Sequence, residues 1–569
     1  MSQYEFFLVS ALEKVLPVRR PAAMGTTLST WPGEHAAVQL VYTGSDQVPF
    51  MPQQLYRIEI DGAPWTPERF HVELIPAGLP CYPQSDEDYL SKEPGLFPDL
   101  LTPAYDPTVL PLPGQYRSLW IRWNIPADAP AGDYPITLRA VPVIPQTTPS
   151  GEVLDGSHAP TVTCGFTLRV GSTRLMSQRL LHTQWFHADC LAQYYGVEVF
   201  SREHWRILEH FIRDAGTRYG INMLLTPVFT PALDTPVGKE RLTVQLVDID
   251  QDGQDYHFGF EKLERWVGLC RTYGITHLEI PHLFTQWGAC ATPKIIATVD
   301  GSPRRIFGWD VPADSPEYRR FLQAFLPALR QKLSELGYDR EHVYFHISDE
   351  PSPEHKQNYL TALEQVGTLL QGCPVLDALT NYDFYREGLV QIPVCAADYI
   401  QPFLDADVPH LWVYYCCVQG DRVPNRFFAM PSYRNRIMGV LMYLHRIRGF
   451  LQWGYNFYSA KYSLHPIDPY RCADGDLGFP AGDPFLVYPG ADGTPLPSLR
   501  AEVQNDALLD LRALETLERL AGRERVEALI REKSCVWPIT FTDYPRDPQF
   551  LLTLREEVAQ RISTLSGKP

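Results

Sequence analysis

The sequence lacks the long apolar segments and the surplus of basic residues that mark membrane-spanning and nucleic-acid-binding chains. No apolar run approaches the roughly 20 residues needed to cross a bilayer. The 569 residues include 50 Lys and Arg against 67 Asp and Glu, a net charge of −17, which disfavours polyanionic partners. We therefore expect no nucleic-acid and no membrane partner, and the oligomeric state stays open.

A signal-peptide pattern and cysteines spaced for metal or redox motifs are also missing. No basic residue precedes the short apolar stretch at the N-terminus, and Glu13 and Lys14 interrupt that stretch. The 11 cysteines are an odd number, and the only close pair, Cys416 and Cys417, is adjacent rather than spaced for metal binding. The sequence thus predicts reduced thiols in a cytoplasmic protein.

Three common catalytic signatures do not occur. They are the phosphate loop G-x-x-x-x-G-K-[ST], the zinc motif H-E-x-x-H and the nucleophile elbow G-x-S-x-G. The segment from Asp248 begins like a calcium loop, but its twelfth position is Gly259 instead of Glu. A hairpin turn at Asp252 and Gly253 is the better interpretation. We predict neither a metal nor a cofactor.

Polar and apolar residues alternate in several short segments among the first 170 or so residues. Examples are the segments 55–60, 119–125 and 161–170. Such alternation is typical of a strand with one buried face. We predict an antiparallel β-sandwich over residues 1–175.

From about residue 180, amphipathic helices alternate with short apolar strands. Ser201 and Ser315 can each cap a helix, and these helices lead through glycine into the apolar segments 221–225 and 343–347. Apolar strands separated by helices are typical of a parallel sheet covered on its faces. A (β/α)8 TIM-type barrel is predicted over residues 176–500.

After Pro497 the pattern becomes helical. Helices are predicted over 502–520, 523–533 and 547–562. Residues 501–569 are therefore predicted to form a C-terminal helical extension. The expected fold class is multidomain, with an all-β unit before an α/β barrel.

Two adjacent carboxylates, Asp349 and Glu350, follow the strand predicted to end at residue 347. Catalytic residues of barrels lie at the carboxyl ends of strands, and a carboxylate pair can protonate a leaving oxygen and stabilise charge at an anomeric carbon. The alternative is that both residues cap a helix that begins near Ser352. Because consecutive strand residues point to opposite faces, the two can share a site only where the strand has ended or bulges. Pro351 predicts an extended backbone at Glu350.

Aromatic and polar residues recur at the other predicted strand ends. The candidate substrate-binding residues are His187, Asp189, Asn222, His282, Gln286, Trp287, Tyr382, Tyr414, Trp453 and Asn456. Rings stack on the C–H faces of sugars while polar groups bind their hydroxyls. A single His or Trp is more often a core residue, so it is their joint recurrence that favours a carbohydrate.

Several segments also resemble a known family. YFHISDEPSPEHKQNY, GFLQWGYNFY and YGITHLEIPHLFTQWGA are similar to the catalytic domain of glycoside hydrolase family 123 and its wider relatives of unassigned function. The resemblance implies a β-sandwich before a (β/α)8 barrel, and exo-β-N-acetylgalactosaminidase activity. The family's adjacent Asp-Glu pair matches Asp349 and Glu350.

The resemblance further implies a substrate-assisted retaining mechanism without a metal. In it the sugar's own 2-acetamido oxygen attacks the anomeric carbon, Asp349 stabilises the oxazolinium-like intermediate, and Glu350 serves as general acid and then as base. The expected substrate is a small oligosaccharide or glycoside. Two alternatives remain: a glycosidase of the same fold for a sugar without an acetamido group, and a non-catalytic carbohydrate-binding protein.

Overall fold

The structure is a computed structural model that describes residues 3–45, 54–143, 159–286 and 288–567. All 11 cysteines are free thiols. Within the described ranges, no helix combines the length and the apolar character needed to cross a membrane.

Ten strands form two five-stranded sheets in the N-terminal region. They are β1 (Tyr4–Ser10), β2 (Thr27–Thr30), β3 (His35–Gly44), β4 (Leu55–Asp61), β5 (Glu68–Ala77), β6 (Gly95–Pro103), β7 (Thr108–Val109), β8 (Arg117–Asn124), β9 (Gly132–Val143) and β10 (Val162–Val170). The first sheet has the order β1-β3-β8-β5-β6 and is antiparallel. The second has the order β2-β10-β9-β4-β7, in which only β2 and β10 are parallel. The three alternating segments predicted as strands are β4, β8 and β10.

One hydrophobic cluster is shared by the two sheets. Phe6 and Val38 of the first sheet belong to it together with Ile58 and Leu138 of the second. All four side chains are buried, and burial of a large apolar side chain contributes about 1.5–3 kcal/mol. The N-terminal region is therefore β-rich and has a core of its own.

The chain after residue 180 contains fourteen further described strands. They are β11 (Leu181–Gln184), β12 (Met223–Leu225), β13 (Asp248–Asp252), β14 (Asp255–Gly259), β15 (His277–Ile280), β16 (Ile295–Val299), β17 (Ser302–Phe307), β18 (Val343–Phe345), β19 (Leu376–Leu379), β20 (Ile392–Ala396), β21 (Trp412–Tyr414), β22 (Gly449–Gln452), β23 (Tyr488–Pro489) and β24 (Pro495–Leu496). The predicted hairpin is formed by β13 and β14.

Eight parallel strands make a nearly closed barrel. They follow the order β18-β15-β12-β11-β22-β21-β20-β19, so neighbours along the chain are neighbours in the sheet and β22 pairs with β11. A parallel bridge between Phe345 and Val375 joins the two ends. The parallel barrel predicted from the sequence is therefore present.

Helices cover this barrel and continue beyond it. They are α1 (Ala188–Tyr195), α2 (Arg202–Tyr219), α3 (Glu261–Thr272), α4 (Pro316–Glu335), α5 (Lys356–Val366), α6 (Asp383–Arg386), α7 (Gln401–Asp405), α8 (Ser432–Arg436), α9 (Met438–Leu444), α10 (Leu499–Ala521), α11 (Arg523–Lys533) and α12 (Pro548–Ser566). Ser201 and Ser315 are the predicted caps, and their hydroxyls accept from the backbone N–H of His204 and Tyr318 at 3.2 and 3.3 Å.

Helix α10 connects the barrel to the N-terminal sheets. It packs against α2 and α9. Its Arg500 pairs with Asp99 of β6 at 2.8 Å, and its Glu502 pairs with Arg122 of β8 at 2.9 Å. All four side chains are buried, and removal of one partner from a buried ion pair is strongly destabilising. These pairs therefore favour one orientation of the sheets against the barrel.

Candidate active site

The turn after β18 places Asp349 and Glu350 at the carboxyl end of the barrel. The strand ends at Phe345, and the Ser348 hydroxyl donates to the carbonyl of Thr285 at 2.9 Å. Glu350 has a φ of 44°, a left-handed conformation that is uncommon for residues other than glycine. The extended backbone predicted for Glu350 is therefore wrong. Because the strand has ended and the chain turns, the two adjacent carboxylates line one cavity.

Neither carboxylate acts as a helix cap. The next helical turn is a 3₁₀ turn at Pro353–His355, which has Ser352 at its N-cap position and no side-chain cap hydrogen bond. Glu350 Oε1 instead accepts a hydrogen bond from the Tyr414 hydroxyl. The capping alternative therefore does not explain the carboxylate pair.

The cavity has a volume of about 190 Å³. Five residues selected from the sequence line it, namely Gln286, Asp349, Glu350, Tyr414 and Trp453. The other described lining residues are Trp185, Leu233, Asp234, Ala378, Cys416, Cys417, Leu451, Lys461, Tyr462 and Phe479. Aromatic walls with a few polar groups suit a ligand that has both apolar faces and hydroxyls.

Burial raises the pKa of both central carboxylates. For Asp349, burial and the negative charge of Glu350 raise the pKa well above its usual value. For Glu350, burial raises the pKa, and the hydrogen bond from Tyr414 opposes that rise. Because the charge of Glu350 acts on Asp349, the two carboxyl groups titrate as a pair. Raised pKa values favour retention of a proton by the pair, as an acid next to a charge-stabilising group requires.

A buried charge network lies beneath the pair. His346 contacts Glu279 through Nε2 at 2.6 Å and Asp377 through Nδ1 at 3.2 Å. Burial disfavours its charge, but these two carboxylates raise the pKa of His346 to about 9. The imidazolium is thus bracketed by two carboxylates. Thr183 and Trp185 complete the network by donating to Glu279 at 2.6 and 2.7 Å.

His282 lies between this network and Asp349. Its Nε2 is 3.9 Å from Asp349 Oδ1, and its ring packs at a tilt of 34° against that of His346, with 4.3 Å between centroids. Neither ring nitrogen has a hydrogen-bond partner among the described residues. Burial and the charge of His346 lower the pKa of His282 well below its usual value. A neutral His282 next to Asp349 can orient that carboxylate.

The same histidines are the residues that come closest to a cation site. Ligand atoms of His282, His346 and Asp377 lie within 4.8 Å of one another. Both nitrogens of His346 face carboxylates, however, and a doubly protonated imidazole has no lone pair for a metal. In this protonation state the group is an ion-pair network and does not form a three-ligand site.

Three predicted binding residues form a layer behind the cavity wall. His187 contacts the Trp453 carbonyl through Nε2 at 2.8 Å and Arg241 through Nδ1 at 3.0 Å. Asp189 also pairs with Arg241, at 2.8 Å. Asn456 Oδ1 accepts from the backbone N–H of His187 at 2.9 Å. These contacts hold the segment around Trp453 in place from the side that faces away from the cavity.

Three other predicted residues lie elsewhere. Asn222 precedes β12, at the opposite end of the barrel, and donates to the Leu180 carbonyl at 3.0 Å. Tyr382 packs edge-on against Phe403, with 5.0 Å between ring centroids. Trp287 lies outside the described residues.

Several ionisable residues at or below the site are absent from the sequence prediction, among them Glu279, His346, Asp377 and Asp234. Glu279 and Asp377 lie within barrel strands, and His346 directly follows one. These three residues interrupt short apolar segments of the sequence. Because a strand of a parallel barrel is buried on both faces, an ionisable residue within it indicates a buried polar site. Asp234, in the long connection after β12, has no comparable local signal.

Comparison with known proteins supports one family. The model of the glycoside hydrolase 123 catalytic domain matches residues 185–517. Among solved structures, a family 123 glycoside hydrolase from Clostridium perfringens, described in a study of glycolipid glycan hydrolysis, aligns over 99% of this chain and 97% of its own. The identity is 13% and the TM-score is 0.71. No curated protein sequence matches the chain.

More distant structures resemble it only weakly. The Clostridium thermocellum xylanase 10B aligns with a TM-score of 0.30 at 9% identity over 89% of this chain and 94% of its own. The β-D-glucuronidase of Dictyoglomus thermophilum aligns with a TM-score of 0.31 at 9% identity, over 84% and 68%. The fold assignment therefore depends on the Clostridium perfringens structure, and the family model spans more than half of the chain. This chain belongs to glycoside hydrolase family 123.

Proposed function

We propose that the protein is an exo-acting β-N-acetylgalactosaminidase that uses a substrate-assisted retaining mechanism. The observation that carries the proposal is that Asp349 and Glu350 line one cavity at the carboxyl end of the barrel. Retaining enzymes with a protein nucleophile need two carboxyl groups about 5 Å apart on opposite sides of the sugar. Adjacent residues on one turn suit a reaction in which the substrate supplies the nucleophile.

In the first step the glycosidic C1–O bond breaks. Glu350 transfers its proton to the leaving oxygen, and the acetamido carbonyl oxygen bonds to C1 from the other face. Asp349 accepts a hydrogen bond from the acetamido N–H and stabilises the positive charge of the resulting oxazolinium ion. In the second step water attacks C1, Glu350 takes its proton, and the C1–O bond to the acetamido group breaks. Two inversions at C1 retain the configuration.

A terminal sugar of a small neutral oligosaccharide is the substrate class proposed here. A neutral glycolipid glycan belongs to that class, and glycolipid glycan hydrolysis is the subject of the work on the Clostridium perfringens relative. We also propose a β-sandwich over residues 1–175, a barrel over 176–500 and helices over 501–569. The cluster shared by the two N-terminal sheets supports the sandwich.

Wild-type protein is expected to hydrolyse nitrophenyl β-GalNAc and to release the β-anomer first, as seen by NMR. A thiazoline that mimics the oxazoline should inhibit it, because that ring resembles the bound intermediate. Lack of turnover of both nitrophenyl β-GalNAc and β-GlcNAc contradicts the proposal. Turnover of a non-acetamido glycoside that is insensitive to the thiazoline supports the alternative glycosidase.

Tyr414→Phe is expected to move the basic limb of the pH profile of kcat/KM to higher pH. The Tyr414 hydroxyl donates to Glu350 and lowers its pKa, so its removal raises the pKa of the acid. A general acid works only while protonated, and activity therefore persists to higher pH. Tyr415→Phe is the matched control, because this neighbouring buried tyrosine contacts Asn435. An unchanged basic limb in Tyr414→Phe contradicts the assignment of Glu350 as the acid.

A further inference from the structure

Two acceptor atoms at the cavity are buried without a hydrogen-bond partner. They are Oδ2 of Asp234 and Oε1 of Gln286, and no described residue donates to either. Both residues line the cavity that contains Asp349 and Glu350. An unsatisfied buried polar atom is unfavourable, and folded proteins retain few of them. A pair at one cavity therefore points to donors that arrive with a ligand.

Contacts with neighbouring residues determine which side-chain atoms of Gln286 and Asp234 remain without a hydrogen-bond partner in the described part of the chain. The Gln286 amide donates from Nε2 to the carbonyl of Thr235 at 3.0 Å, which leaves its Oε1 as an acceptor. That contact also ties Gln286 to the residue that follows Asp234. Asp234 itself has a φ of 43°, a left-handed conformation that aspartate tolerates better than most residues. The two acceptors thus lie in two separate loops that this hydrogen bond joins.

Asp234 is an acceptor at neutral pH. Burial raises its pKa to about 6, while Arg241 and the backbone N–H groups of Tyr462 and Ser463 lower it. Above that pH the carboxylate can only accept hydrogen bonds. Its negative charge also contributes to the raised pKa of Asp349, and both residues line the same cavity.

The charges of the lining favour a neutral ligand with hydroxyl donors. Asp234, Asp349 and Glu350 are acidic, and Lys461 is the single basic residue among the described lining residues. The Lys461 ammonium lies 5.8 Å from the centre of the Phe479 ring. An anionic sugar would face more negative than positive charge in this cavity. Sugar hydroxyls supply the O–H donors that the free acceptors lack.

We propose that Asp234 and Gln286 accept hydrogen bonds from two hydroxyl groups of the terminal sugar and thereby select among sugars. The proposal rests on the proposed function, since it assigns these residues to the sugar whose glycosidic bond is cleaved. A site built to bind a hydroxyl rejects analogues that lack it far more strongly than an apolar pocket rejects an extra group. This pair is therefore a specificity determinant distinct from the catalytic carboxylates.

The test compares wild type with Asp234→Asn on nitrophenyl β-GalNAc and on its 3-, 4- and 6-deoxy analogues. We expect Asp234→Asn to lower kcat/KM on the parent by about 10- to 150-fold, the usual loss for a hydrogen bond to a charged group. One deoxy analogue should be similarly poor for wild type, and Asp234→Asn should add no further loss on that analogue. If the loss caused by Asp234→Asn and the loss caused by removing the hydroxyl multiply for all three analogues, the proposal is overturned.

Matched variants separate this contact from a general disturbance. Asp255→Asn, at an exposed aspartate of β14, should match wild type on every substrate. Gln286→Leu should likewise add no further loss of kcat/KM on the analogue that lacks a different hydroxyl. This second variant tests the proposal even if Asp234→Asn does not fold. If wild type turns over neither GalNAc nor GlcNAc substrates, the proposed function fails. The comparison of wild type with Asp234→Asn is then repeated on the deoxy analogues of whichever glycoside is cleaved. If the losses from the substitution and from the missing hydroxyl multiply for every analogue, this proposal is overturned separately.

Discussion

Glu350→Gln is expected to lower the rate of glycosidic bond cleavage by about 10²- to 10⁴-fold on a substrate with a sugar leaving group. That range is the usual contribution of a positioned general acid. Glutamine has nearly the shape of glutamate but cannot transfer a proton to the leaving oxygen. The measurement is single-turnover hydrolysis of a disaccharide with a terminal β-GalNAc.

The leaving group distinguishes acid catalysis from a loss of structure. Dinitrophenolate departs without protonation, so the step that releases it should be much less affected by Glu350→Gln than cleavage of the disaccharide. Glu354→Gln is the matched control, because Glu354 is an exposed glutamate four residues further along the same segment. Equal losses on both substrates at the cleavage step contradict the role of Glu350 as the acid.

His346→Leu is expected to reduce the free energy of unfolding by about 3–5 kcal/mol, the usual effect of removing one partner from a buried ion pair. Glu279 and Asp377 would then face each other without the cation that now separates them. All three side chains are fully buried, so water does not compensate for the missing charge. Denaturant unfolding monitored by tryptophan fluorescence measures the change.

The pH dependence of stability tests the same network with the wild-type protein. The pKa of His346 in the folded state is about 9, above the value of about 6.5 for an unperturbed histidine. The stabilisation is therefore complete below about pH 6.5, and it is lost as the pH rises through about 9. Its size from this shift is about 3 kcal/mol. The decline in stability between these pH values should be absent from His346→Leu.

An exposed histidine provides the control for this experiment. His257 lies on β14 and is exposed, so His257→Leu should change the free energy of unfolding by no more than about 0.5 kcal/mol. The His257 variant should also keep the wild-type pH dependence. A His346→Leu protein as stable as wild type at pH 6 would contradict the charge assignment of the network.

Local sequence patterns predicted the elements well. Strands β4, β8 and β10 follow from alternation of polar and apolar residues, and helices α2 and α4 follow from serine caps before amphipathic segments. These signals are short-range, because a cap or an alternating run acts through neighbours along the chain. The order of strands and helices then limited the second half of the chain to a parallel barrel.

Residues selected from the sequence line the cavity where a suitable residue type and a strand end coincide. Asp349 and Glu350 adjoin β18, and Tyr414 is the last residue of β21. Asn222 shows the limit of this reasoning. The structure begins β12 at Met223, so Asn222 lies at the amino end of its strand, whereas barrel sites form at the carboxyl ends.

The sequence by itself indicated the secondary structure, the parallel barrel and the position of the carboxylate pair at a strand end, because each follows from the pattern and order of residue types along the chain. Only the tertiary structure decided which polar groups meet at the cavity. Asp234, Gln286 and Lys461 come from three separate connections between strands. Their meeting depends on how the barrel closes and how its loops pack, and these long-range contacts leave no pattern in the local sequence.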